Sequence, residues 1–150
     1  MQQIIFFLVL VAATLNSIVD THAQKSATIT FYANISTLED WTGHVWVEVK
    51  NEEHTFNYGF YPDDDDPTKL QGLVSDKYRK ADVSYSFQIT EQQFNRTIEV
   101  IKEYLHADYT FGLNDCRRFA QRMAQVAGLN TPSVGMKSPA EWLADLVDAN

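Results

Sequence analysis

The sequence predicts an α+β domain in which an antiparallel sheet is packed by helices. Two observations carry that prediction. Through the first half, apolar and polar residues alternate at the two-residue period of a half-buried strand: Val45, Val47 and Val49 share one face of Gly43–Lys50, and Phe56, Tyr58 and Phe60 share one face of His54–Tyr61. Through the second half the period lengthens to that of a helix, behind the capping pairs Thr90-x-x-Gln93 and Ser138-x-x-Glu141.

The chain has 150 residues, enough for one domain with a real core and too few for two. It opens on an apolar run from Ile4 to Leu15 that is too short to span a bilayer comfortably and has the length of a signal-peptide core. Thr21 and Ala23 provide the small residues of a cleavage site, although no Lys or Arg precedes the apolar run. Residues 1–23 are therefore read as a signal peptide and 24–150 as a single domain, secreted or periplasmic, with no membrane span in the mature form. A formal net charge of −8 without any Lys/Arg cluster argues against nucleic acid as a partner. Lys77-Tyr78-Arg79-Lys80 reads as a solvated turn.

The elements follow in order. Ala27–Ala33 is a short β-rich run. Gly43–Lys50 and His54–Tyr61 flank a turn at Asn51-Glu52-Glu53 and read as an antiparallel hairpin. Pro62-Asp63-Asp64-Asp65-Asp66-Pro67 is an acidic loop without the spacing of an EF-hand and reads as a solvated turn. Val83–Ile89 is a further strand, with Val83, Tyr85, Phe87 and Ile89 on one face. A helix follows Thr90, with Phe94, Ile98, Ile101 and Leu105 along its stripe and His106 at its dipole-favoured end. The next starts near Asn114-Asp115, carries Phe119, Ala120, Met123 and Ala127, and closes at Gly128. The last starts at Ser138 with Pro139 in its first position and buries Trp142, Leu143 and Leu146. Asn34-Ile35-Ser36 and Asn95-Arg96-Thr97 match the N-glycosylation sequon, which has meaning only in a eukaryotic host.

Cys116 is the one cysteine, so it cannot pair within the chain in the oxidising surroundings an exported protein meets. It follows Asn114 and Asp115, both good N-caps, and falls in the first turn of a helix, where free N–H groups and the positive dipole end favour thiolate. Asp115 acts in the opposite sense, because a neighbouring carboxylate raises a thiol's pKa. A nucleophilic thiol needs a base, commonly His, and the candidates after signal removal are His44, His54 and His106. A bland reading stands beside this one, with Cys116 a small buried hydrophobe and His44 a satisfied strand-edge residue.

Gly43-His44-Val45-Trp46-Val47, Tyr58-Gly59-Phe60-Tyr61-Pro62 and Tyr109-x4-Asn114-Asp115-Cys116-x2-Phe119-Ala120, with Ala127-Gly128-Leu129, resemble the circularly permuted papain-like thiol hydrolases. That superfamily holds NlpC-type amidases and lecithin-retinol-acyltransferase-like enzymes. The resemblance spans roughly residues 43–129 and shares the order in which a His strand precedes the Cys helix. It implies a permuted papain-like fold, Cys116 as nucleophile, His44 as general base and a third polar residue that orients the imidazole from the strand beside the His strand. With a two-residue turn at Asn51-Glu52, Asn57 lies opposite Trp46 on the face of His44 and is the preferred third residue; Glu48 and His54 remain alternatives. Trp46 and Tyr61 are candidates to line the cleft.

The implied activity is hydrolysis of an amide or peptide bond through an acyl-thioester, with no cofactor. For an exported bacterial protein the analogy points to a cell-wall peptide. The alternative is a catalytically silent binding domain on the same scaffold. A His/Cys metal site finds no support in the spacing of His44, His54 and Cys116.

Overall fold

A computed structural model describes residues 26–35, 42–62, 70–77 and 79–150. The signal-peptide reading of residues 1–23 and the acidic run Asp63–Asp66 lie outside the described residues. Five strands, β1 (Ser26–Asn34), β2 (His44–Lys50), β3 (Thr55–Pro62), β4 (Leu70–Ser75) and β5 (Val83–Thr90), precede three helices, α1 (Glu91–Tyr104), α2 (Cys116–Val126) and α3 (Pro139–Asp148). The strands form one antiparallel sheet in the order β4-β3-β2-β1-β5, and the helices pack on one of its faces. This is the α+β architecture that the two sequence periods predict. No helix among the described residues is long and apolar enough to cross a membrane.

Cross-strand pairs define the two faces. Ile29↔Val49, Phe31↔Val47 and Ala33↔Val45 place the apolar alternation of β1 and β2 under the helices, and Phe56, Tyr58 and Phe60 continue it on β3. Phe60 meets Tyr104 edge-on at 4.9 Å and Phe119 at 6.4 Å, and Phe31 meets Trp142 edge-on at 6.2 Å. One contiguous core thus joins the sheet to all three helices. The other face carries Tyr32, Trp46 and Gly59 in line, with His44 and Tyr61 beyond them at the end of the sheet.

Three expectations are corrected. The turn between β2 and β3 is a four-residue loop closed by the Asn51 N–H on the His54 carbonyl, and the Asn51 side chain accepts from the N–H groups of Glu53 and His54. The pairing is therefore Trp46↔Gly59 and Glu48↔Asn57, two residues from the expected register. A two-residue shift preserves faces but moves Asn57 along the strand, away from His44. Second, β4 is an additional edge strand; Gly72, with φ of 84°, fits the irregular pairing near Tyr61 and Pro62. Third, Leu105 caps α1 and is half exposed, while Thr97 and Val100 join Phe94 and Ile101 on the buried side.

Because β4 and β5 occupy opposite edges, the segment between them has to cross the sheet. It does so at the end where β1 finishes and β2 begins: the Asp82 N–H donates to the Ala33 carbonyl, and Arg79 Nε donates to Asn34 Oδ1. The crossover delivers Asp76 and Arg79 beside His44 and Tyr61, so Arg79 is an organised part of this face rather than a solvated turn.

Candidate functional site

Cys116 is the first residue of α2. Its N-cap is Asp115, whose side chain accepts from the N–H groups of Arg117 and Arg118. Asp115 also accepts from the Gly112 N–H and from the Arg117 guanidinium, Nη2 lying 2.6 Å from Oδ2. Arg117 is held further by the Lys137 carbonyl and lies over the Phe111 ring. This fixes the helix start, but it also occupies the amides that the sequence offers as anion donors. The helix-end field meets its counter-charge within one turn.

The thiol itself is buried, 6% exposed, among the core residues of α2 and β2. Burial pushes it up to about 12, assisted by the Asp115 carboxylate and opposed by the Val45 N–H, the Arg117 charge and the Arg117 N–H. The expected thiolate activation by the helix end is thus outweighed by desolvation. At rest Cys116 is a neutral thiol, and the N–H of Val45, the residue after His44, is the group that most opposes the rise.

His44 is the first residue of β2 and 6% exposed. Its ring stacks on Tyr61 with centroids 4.1 Å apart and lies 6.0 Å from Trp46, which in turn stacks on Tyr32. His44 Nε2 is 3.6 Å from Asp76 Oδ2. Asp76, 8% exposed, accepts from the Tyr61 hydroxyl at 2.7 Å and 2.8 Å, one distance to each carboxylate oxygen. Arg79 Nη1 donates to that hydroxyl at 2.8 Å, and its guanidinium lies over both Trp46 and Tyr61. Burial and the Asp76 carboxylate raise the Tyr61 phenol, so it remains a proton donor throughout the ordinary pH range.

His44 and Cys116 line one cavity of about 420 Å³ at the end of the sheet. Tyr61, Tyr109, Phe111 and Arg117 form its walls, and the cavity reaches from the helix-covered face round to the face of His44. Of the two aromatics proposed for the cleft, Tyr61 lines it, whereas Trp46 is buried between Tyr32 and Arg79. Burial also raises the Tyr109 phenol, and the neighbouring Cys116 adds to that effect.

The candidates for the third residue divide differently. Asn57 donates to Glu48 Oε2 at 3.3 Å, so those two pair with each other four residues along β2 from His44. His54 closes the β2–β3 loop and stacks on Phe56. Among the described residues, the polar group against His44 is Asp76, which follows directly on β4, a strand that the sequence pattern does not reveal. One signal was available: Gly59 interrupts the aromatic run Tyr58-Gly59-Phe60-Tyr61, where a strand gains nothing from glycine unless something needs the space. Compared with known protein families, curated proteins and solved structures, the chain has no match.

Proposed function

We propose that this protein is a secreted cysteine-dependent hydrolase of the permuted papain-like kind, cleaving an amide or peptide bond through an acyl-thioester at Cys116 with His44 as base. The observation that supports it best is the shared cavity: the first residue of α2, Cys116, and the first residue of β2, His44, line the same hollow. The N-terminal apolar run supports export, and a cell-wall peptide is the substrate that the resemblance suggests.

The chemistry follows from a neutral resting thiol. His44 takes the Sγ proton as the sulfur attacks the carbonyl carbon, giving a tetrahedral oxyanion and an imidazolium. Arg117 and Arg118 N–H groups are occupied by Asp115, so the oxyanion depends on other donors at the cavity, whose lining includes the protonated phenol Tyr109. The imidazolium proton passes to the leaving amine as the C–N bond breaks. Water, giving a proton to His44, then attacks the thioester, and the returned proton restores the thiol.

A binding domain without catalysis is the second reading, and the buried, neutral Cys116 favours it. The two separate on acylation. Small p-nitrophenyl esters and peptide p-nitroanilides are the probes; the hydrolase releases one equivalent of nitrophenol from the ester in a burst and carries the acyl group on the Cys116 peptide by mass spectrometry. His44→Ala should slow that step by about 10²–10⁴-fold. No acyl adduct at Cys116 with any of these substrates, or an equal rate in His44→Ala, leaves the binding domain standing.

A further inference from the structure

We infer that Asp76, reaching over the glycine gap at Gly59 from the end of β4, is the residue that positions the His44 imidazole. The consequence for rate rests on the hydrolase reading of the site; the coupling of Asp76 to His44 is a property of the fold and stands or falls separately. Three observations converge on it. A Cβ placed on Gly59 would lie 2.1 Å from Asp76 Oδ2, 2.6 Å from His44 Nε2 and 2.7 Å from Tyr61 Cε2. No side chain fits there without pushing the carboxylate and the ring apart, so the close approach of Asp76 to His44 needs glycine at this position. The position is on β3, the strand next to His44; the carboxylate comes from the strand beyond, through the window that glycine leaves.

The carboxylate is itself aimed. The Asp76 N–H reaches toward the Asn57 carbonyl at 3.4 Å, and the Tyr61 hydroxyl holds both carboxylate oxygens, with Arg79 behind it. Tyr61 also stacks on the imidazole, so one side chain fixes both partners. With Nε2 facing Asp76, the hydrolase reading requires Nδ1 to exchange the proton with Cys116. As Sγ gives its proton to Nδ1, the imidazolium formed donates Nε2–H to Asp76 Oδ2, and the contact closes from 3.6 Å to a charge-assisted hydrogen bond. When Nδ1 returns its proton to the leaving group, the ring is neutral again and Asp76 has neither gained nor lost a proton.

The charges around the ring give the sign of the test. Tyr61 and Tyr109 are neutral phenols, Cys116 is a neutral thiol, Asp115 is matched by Arg117, and Arg79 is cationic. Among the described residues, Asp76 is the carboxylate that faces Nε2, at 3.6 Å. Removing its charge therefore disfavours the imidazolium.

The His44 midpoint, read from its imidazole ¹⁵N resonances in the full mature chain and assigned by comparison with His44→Ala, should fall by about one pH unit in Asp76→Asn. Gly59→Ala should lower it in the same direction by separating the pair, which gives a second route if Asp76→Asn folds poorly. Asn57→Ala should leave it in place. In acylation by a p-nitrophenyl ester, Asp76→Asn should shift the acid limb of the rate–pH profile with the His44 midpoint, and Asp76→Glu should recover part of the rate. A midpoint unmoved in both Asp76→Asn and Gly59→Ala, or moved by Asn57→Ala instead, overturns the inference. A midpoint that falls while the wild type forms no acyl adduct sinks the hydrolase reading and leaves the positioning contact intact.

Discussion

Cys116 occupies a position where two physical effects oppose each other. The start of an eleven-residue helix favours an anion by an amount that falls off within a turn, whereas removing a thiolate from water is costly at any orientation. Here Asp115 already serves as the helix's anion, so desolvation wins and the thiol is pushed up to about 12. At neutral pH such a thiol carries about a thousandfold less thiolate than an ordinary cysteine. Alkylation by iodoacetamide should accordingly be far slower than that of free cysteine at pH 7.5 and should keep rising above pH 9 without a plateau; a plateau below pH 8 would show that the environment stabilises the anion. The same shift bears on stability. Because the folded state holds the thiol proton more tightly than the unfolded chain, the contribution is complete below the ordinary thiol pKa and is lost as pH rises toward about 12. Between pH 8 and pH 11 the wild type should lose roughly 2–3 kcal/mol that Cys116→Ala does not lose, read as the divergence of their urea midpoints. Tyr61 is raised in both proteins and cancels from the comparison, whereas Tyr109 loses the Cys116 part of its shift in Cys116→Ala.

At the scale of elements, the parts written in local chemistry were legible and the parts written in pairing were not. Both capping boxes form as read, Thr90 with Gln93 and Ser138 with Glu141, because a cap is satisfied within four residues. The α2 start at Asp115 was legible for the same reason. The β2–β3 register was not, since it depends on how many residues Asn51 gathers into the loop, and the alternation of apolar residues fits either pairing. Leu70-Gln71-Gly72-Leu73-Val74-Ser75 lacks the alternation that marked β2 and β3, so β4 went unread. With it went the crossover that brings Asp76 and Arg79 to His44, and hence the charged half of the site. Asp115 gives a prediction at this scale. It caps α2, restrains Gly112 and neutralises Arg117, so Asp115→Ala removes a cap and strands a partly buried guanidinium. The cap alone is worth about 1 kcal/mol and a broken buried ion pair about 3–5 kcal/mol, so the loss should exceed that of Ser138→Ala, which removes one exposed cap. Equal losses in urea denaturation would mean that the Asp115–Arg117 pair contributes nothing beyond capping.

Over the whole molecule, the core and the cavity are two ends of the same packing. The helices bury the Val45, Val47 and Val49 face, and the cavity opens where β2 begins and that packing gives way to the Tyr109–Phe111 segment. Because one apolar cluster runs through β1, β2, α1, α2 and α3, the domain has no part that can hold its own core without the rest. Trp142 tests this. It is fully buried on the last helix, edge-on to Phe31 in the central region of the sheet, with its indole N–H toward the Pro132 carbonyl. If α3 were an appendage, Trp142→Ala would release it and leave the sheet and the first two helices melting as before. With a shared core the substitution opens a cavity among residues of β1 and its neighbours, at a cost of about 3–5 kcal/mol. The expected result is one transition at lower urea concentration, with the same slope and with far-UV dichroism and Cys116 accessibility changing together. Cys116 is the sensitive probe, because it lies in α2 and reports on the core outside α3. A variant in which the dichroism of α3 is lost early while Cys116 stays protected to the wild-type midpoint would divide the domain into two units.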